Sequence, residues 1–151
     1  MNARNGAAPG TIGLLRILGY LIYVAAFFLP AVHQVATPGA GAPDTYKGWF
    51  CAWITIINTL NRQMWLSRDF LAILSGWINP LLFLYVASLF SRKLRLFRRI
   101  VAVVIALFIV GTWVYFYLVP LIPLIGHVLW IVGIVLVLAG EGLERREVPI
   151  Q

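Results

Sequence analysis

Residues 100–140 read IVAVVIALFIVGTWVYFYLVPLIPLIGHVLWIVGIVLVLAG, without one Asp, Glu, Lys or Arg. The apolar residues show neither strict alternation nor a continuous polar face, which argues for buried helix rather than half-exposed strand. A bilayer's hydrocarbon core, about 30 Å thick, takes about 20 helical residues. The stretch therefore divides at Pro120 into two spans, 100–119 and 121–140. Inside lipid each segment must pair its own backbone N–H and C=O groups, and a helix does so. The turn carrying Pro120 and Pro123 is so short that the two helices form an antiparallel hairpin.

Two more runs of this kind lie upstream: 12–32, interrupted only by Arg16, and the uncharged 70–90. Composition agrees. The 151 residues are 62% apolar and 11% charged, with a mean hydropathy of +0.91, whereas a soluble domain carries about 25% charged residues. So small a chain has too much surface to hide that much apolar side chain. Soluble globular, disordered, coiled-coil and disulfide-scaffold classes are excluded. The single Cys51 rules out an internal disulfide, CxxC chemistry and a cysteine zinc site, and reads as a small buried hydrophobe. The first run exceeds the 7–15 residues typical of a signal h-region, so it is expected to be an uncleaved span.

Between the first two spans, 34–48 reads as a Gly-, Pro- and Ala-rich loop. In 49–66, Phe50, Trp53, Ile54, Ile57, Leu60 and Met64 recur at helical spacing, opposite Thr55, Asn58, Thr59 and Arg62. That is an amphipathic helix, and Trp49, Trp53 and Trp65 place it at an interface. The alternative is a fifth span, joined to the next only by Ser67-Arg68-Asp69. The expected fold class is thus an all-α integral membrane bundle: one membrane domain over 1–151, with four transmembrane helices and one interfacial amphipathic helix.

Net charge is +7. The basic residues sit at the ends of apolar runs, which fits membrane topology and anionic headgroups rather than nucleic acid. Loop 91–99 holds Arg92, Lys93, Arg95, Arg98 and Arg99 without an acid and is expected in the cytoplasm, in contact with lipid headgroups. Arg4, Arg16, Arg145 and Arg146 join it in the four-span arrangement, leaving Lys47, Arg62 and Arg68 outside. Both termini are then cytoplasmic, in a multi-pass protein of the cell inner membrane. Trp113, Tyr115, Phe116 and Tyr117 would join the three interfacial tryptophans in an outer aromatic belt.

Polar residues within spans are functional candidates. Asn79-Pro80 lies mid-span. Pro80 frees the Gly76 carbonyl, and Asn79 reads as interhelical packing glue or as the lining of a polar path. Gly126, Gly133 and Gly140 recur every seven residues, a packing seam for a neighbouring helix, expected to be internal and against the third span. His127 and His33 fall on the same side of the membrane without a reliable nearby carboxylate, so no metal site is expected. Arg16 snorkels, or pairs with Glu141. There is no phosphate-cradling loop, nucleophile elbow or carboxylate pair, and no catalytic or cofactor-binding residue is predicted.

The order Phe28-Leu29-Pro30, Gly48-Trp49, Trp77-Ile78-Asn79-Pro80 and Gly126-His127-Val128-Leu129-Trp130 resembles a loose group of small, uncharacterised multi-pass bacterial inner-membrane proteins. The resemblance implies a four-span fold and no activity. The expected function is non-enzymatic: an accessory, scaffold or immunity-type protein acting through helix packing with a membrane-protein partner or with itself. The alternative is an oligomeric small channel or transporter, and a membrane enzyme is the least favoured class. A polar path through Asn58, Asn79 and His127 would favour the channel or transporter. A dry bundle with an exposed glycine seam would favour helix packing.

Overall fold

The computed structural model describes residues 9–35, 44–61, 65, 67 and 70–147. Among these, five helices and three short strands follow in the order α1 (Pro9–Ala26), β1 (Pro30–Gln34), β2 (Asp44–Lys47), α2 (Gly48–Asn58), α3 (Phe70–Ser88), α4 (Arg95–Leu118), β3 (Leu121–Pro123) and α5 (Ile125–Glu147), with a 3-10 turn at Arg92–Leu94 before α4. The chain is mostly helical, and its three-stranded sheet corrects the all-α class expected of the sequence. α3 and α4 are long and apolar enough to cross a membrane, whereas the apolar stretches Gly13–Ala26 and Ile125–Ala139 are shorter.

The apolar runs are shorter as helices than as sequence because a sheet takes their ends. α1 closes with Phe27, Phe28 and Leu29 donating to the carbonyls of Val24, Ala25 and Ala26. Pro30 then offers no N–H and restrains the residue before it, so the chain leaves the helix as β1. β1 is the central strand, antiparallel to both β2 and β3. The Val35 N–H donates to the Pro120 carbonyl (3.0 Å) and the Leu124 N–H to the Ala31 carbonyl (2.8 Å). The turn between the last two apolar runs is therefore pinned to the strand that follows the first.

Several boundaries thereby differ from expectation. The loop assigned to 34–48 contains the end of β1 and all of β2, while 36–43 lie outside the described residues. The amphipathic helix assigned to 49–66 ends at Asn58. Thr59, Leu60 and Asn61 close it with tight bonds to Ile56, Ile57 and Asn58, and the Trp65 indole N–H donates to the Thr59 carbonyl at 2.8 Å. Asn and Thr at this point compete with helix by bonding locally. The basic segment 91–99 is a 3-10 turn followed by the first turn of α4, not a loop.

α1 packs along α5 and α3 along α4. Gly19 faces Gly133, Leu136 and Val137, while Pro30 faces Gly126, so α1 and α5 run antiparallel. Ile78, Leu82, Tyr85, Val101, Ile105, Ile134 and Val137 form the buried core, with Tyr20 and Tyr23 of α1 packed on it. The outer faces are apolar as well: Leu14, Ile17, Leu21, Phe83, Val103, Leu107 and Val110 are all exposed. The bundle has two distinct ends. The sheet and α2 lie where α1 finishes and α5 starts, and the basic turn lies where α3 passes to α4.

Candidate functional site

Asn79 sits midway along α3, which continues through Pro80. Its Oδ1 accepts a hydrogen bond from the Tyr23 hydroxyl (2.8 Å) and another from the Trp130 indole N–H (2.9 Å). One carbonyl oxygen thus joins α1, α3 and α5, and both of its lone pairs are used. The two donors also fix which way the amide points. Among the described residues its nitrogen has no protein partner.

Above Asn79, toward the sheet, the bundle opens into a cavity of about 520 Å³. Close contacts around glycines set its walls. A Cβ on Gly76 of α3 would run into the Thr55 side chain of α2, and one on Gly126 would stand 2.6 Å from the Pro30 carbonyl oxygen. The elements touch at these points and part between them. Asn58, Asn79 and His127 all line the cavity, as do Thr55, Thr112 and Cys51.

The hydroxyl of Thr55 donates to the carbonyls of Cys51 and Ala52 (2.9 and 3.0 Å), and that of Thr112 to the Phe108 carbonyl (2.9 Å). Both present only oxygen lone pairs beyond that. His127 is buried in a ring of aromatics. Phe116 meets it edge-on with ring centres 4.7 Å apart, Trp130 lies at 5.4 Å and Trp113 at 5.9 Å. Its Nε2 is buried without a hydrogen-bond partner among the described residues.

The residues singled out in the sequence fall into separate places. Gly126 and Gly133 pack against β1 and α1, not against the third apolar run. A Cβ on Gly133 would lie 2.7 Å from the Tyr23 backbone nitrogen and 2.8 Å from the Gly19 carbonyl oxygen. The surroundings of Gly140 and the side chains of Arg92 and Glu141 lie outside the described residues. His33 bonds Thr45 across the sheet at 2.9 Å and does not join His127 at the cavity. No group of three His, Cys, Asp or Glu able to hold a metal is found among the described residues. Lys93, Arg95 and Arg99 are exposed at the far end and Arg98 is half-buried.

Sequence reasoning missed Gly19, Tyr23, Trp130 and Thr55 as partners. Tyr23 and Trp130 carried a signal: aromatic residues with a polar handle in mid-run need a partner when buried. No protein-family model, curated protein or solved structure matches the chain.

Proposed function

We propose that the chain is a four-span protein of the cell inner membrane, with both termini and residues 91–99 in the cytoplasm, and that it is a non-enzymatic binding protein whose sheet-end cavity receives a small ligand from the opposite side. The apolar outer faces of α1, α3, α4 and α5 are what lipid would cover, since monomeric soluble proteins rarely leave such patches open. α1 has 18 residues, about 27 Å of helix, which reaches across most of a hydrocarbon core. The first turn of α4 has no acidic residue although it carries Arg95 and Arg98. Cations at a helix N-terminus are unfavourable, and anionic headgroups beside Lys93, Arg95, Arg98 and Arg99 would offset that.

The observation that carries the binding reading is the meeting of Asn58, Asn79 and His127 around one cavity. Of these, the Nε2 of His127 is buried without a partner among the described residues; such a group costs stability, and a ligand would satisfy it. Ile78, Leu82, Ile105 and Ile134 fill the core of the bundle on the side of Asn79 away from the sheet. That argues against a pore through the monomer. A pore between copies would have to be lined by the apolar outer faces. The helix-packing role loses Gly126 and Gly133, which are used against β1 and α1. Its remaining support is the exposed Trp49, Trp53 and Ile56 of α2, a surface for a partner membrane protein.

Cys51 supplies the test, because it lines the cavity. In intact cells a membrane-impermeant maleimide should label Cys51 from outside, and a membrane small-molecule extract should slow the reaction. In a Cys51→Ser background, Ser91→Cys should label only after permeabilisation. Labelling of Ser91→Cys from outside would overturn the topology. A Cys51 rate indifferent to every extract fraction would overturn the binding role.

A further inference from the structure

We propose that the ligand of this cavity is an uncharged ring bearing carbonyl acceptors and an apolar tail, the chemistry of a membrane quinone. The proposal rests on the binding reading above and adds to it the class of ligand. Charge is the first argument. Among the described residues that line the cavity there is no Asp, Glu, Lys or Arg. A charged ligand would give up its hydration there without meeting a counter-ion.

Hydrogen-bonding capacity is the second. The Asn79 oxygen is saturated by Tyr23 and Trp130, so its NH2 group is what remains. The Nε2 of His127 is buried without a partner among the described residues, and a neutral imidazole carries one N–H. Trp130 links the two, since it donates to Asn79 and its ring lies 5.4 Å from that of His127. The cavity lining thus includes an amide NH2 group on α3 and an imidazole on α5, and carbonyl oxygens are the groups complementary to their N–H donors.

Shape is the third. Phe50, Tyr46, Phe116 and Trp130 line the space, and aromatic walls suit a flat ring, stacked or edge-on. The volume lies within the range of small-molecule sites, about 300–1,000 Å³. A second hollow shares Phe27 and Ala52 with the cavity and is completed by Trp49, Trp53 and Ile56. Its lining is apolar, which suits the tail of a ligand whose ring sits in the cavity.

Calorimetric titration of the purified full chain in lipid nanodiscs, with three ten-carbon probes, tests this: a benzoquinone with a decyl tail, a neutral monodecanoyl glyceride, and decanoate. The quinone should bind saturably, and the other two about tenfold more weakly or not at all. His127→Phe removes an N–H within an aromatic ring of similar shape. Asn79→Asp keeps the acceptor for Tyr23 and Trp130 but removes the NH2 group. Each should weaken the quinone about tenfold, and Lys93→Ala, at the far end, should leave it unchanged. If Asn79→Asp does not fold, His127→Phe decides alone. A glyceride bound as tightly as the quinone, or a quinone indifferent to His127→Phe, overturns the ligand class and leaves the binding role standing. If no probe binds, the quinone assignment falls; whether the binding role falls with it is decided separately by protection of Cys51 with membrane extract.

Discussion

Asn79 divides the bundle into halves that use similar residues in opposite ways. Toward the basic turn, Leu82, Tyr85, Val101, Ile105, Ile134 and Val137 interlock with almost no exposed area. Toward the sheet, helices of the same composition stand apart around a cavity with polar groups on its walls. Hydrophobicity does not distinguish the two. The difference lies in where backbones approach. Gly19 and Gly133 bring α1 and α5 together below Asn79. At the other end the sheet and α2 hold the helix ends by their main chains, so side chains need not meet in the middle. Stability is concentrated in one half, and the other half is left free to receive something.

That contrast predicts a gradient of mutational cost. The largest effect belongs to the packed half. Ile105 is completely buried, and Ile105→Ala should cost about 2–5 kcal/mol in denaturant unfolding in detergent micelles. An effect below about 1 kcal/mol would mean that this half is not a packed core. Gly133→Leu comes next. Its side chain would be driven into the backbone of α1 at Tyr23, which cannot move aside as a flexible side chain can. A loss of about 3 kcal/mol, the upper part of the usual overpacking range, is expected, with the monomer itself destabilised. A stable monomer that loses an oligomer or a partner would instead put the seam on the outside and remove the contrast.

Asn79→Leu probes the boundary between the halves. It orphans the Tyr23 hydroxyl and the Trp130 indole N–H together, and two interhelical bonds of this kind are worth about 1–2 kcal/mol in a membrane protein. The double mutant Tyr23→Phe with Asn79→Leu should recover part of the loss, because one orphan donor disappears. Additive costs would show that the bond to Tyr23 contributes little.

How much of this could be read from the sequence follows the same division. The helices were legible, because runs such as 70–90 and 100–119 are longer than any other use of apolar residues explains. Their ends were not. β1 and β3 are built from Ala31, Val32, Leu121 and Ile122, which extend the same apolar runs, and three to five residues hold too few repeats to reveal a period. Asn79 was legible by its depth, and the glycine spacing by its repeat. Their partners were not, since spacing along one helix says which face packs but not which helix packs on it. The seam accordingly reads as facing the third run, whereas β1 covers Gly126 and α1 covers Gly133. Of the cavity only the polar set Asn58, Asn79 and His127 was legible, as residues that could share a path; the open volume was not. Asn58, Asn79 and His127 are far apart in the chain, and a void is a property of the space between residues.

The smallest effect on stability is expected at Ala72, and it tests the contrast most directly. Ala72 lies on α3 in the cavity wall, one residue before Ile73, which is fully buried. In a packed interior a larger side chain forces neighbours off their rotamers and costs about 1–3 kcal/mol. In a hollow one the added methyl groups enter existing space and gain contacts that a void denies them. Ala72→Leu should therefore change the unfolding free energy by no more than about 0.5 kcal/mol, while it occupies the volume that a ligand ring needs. Binding of the decyl benzoquinone should fall sharply in a protein as stable as the wild type. That pairing reverses Ile105→Ala, which loses stability through a side chain far from the cavity. If Ala72→Leu instead destabilises the protein as overpacking does, the two halves are equally full and the cavity is not open space. If it is neutral for both stability and binding, the ligand sits elsewhere and the outer groove over Trp49 and Trp53 becomes the place to look.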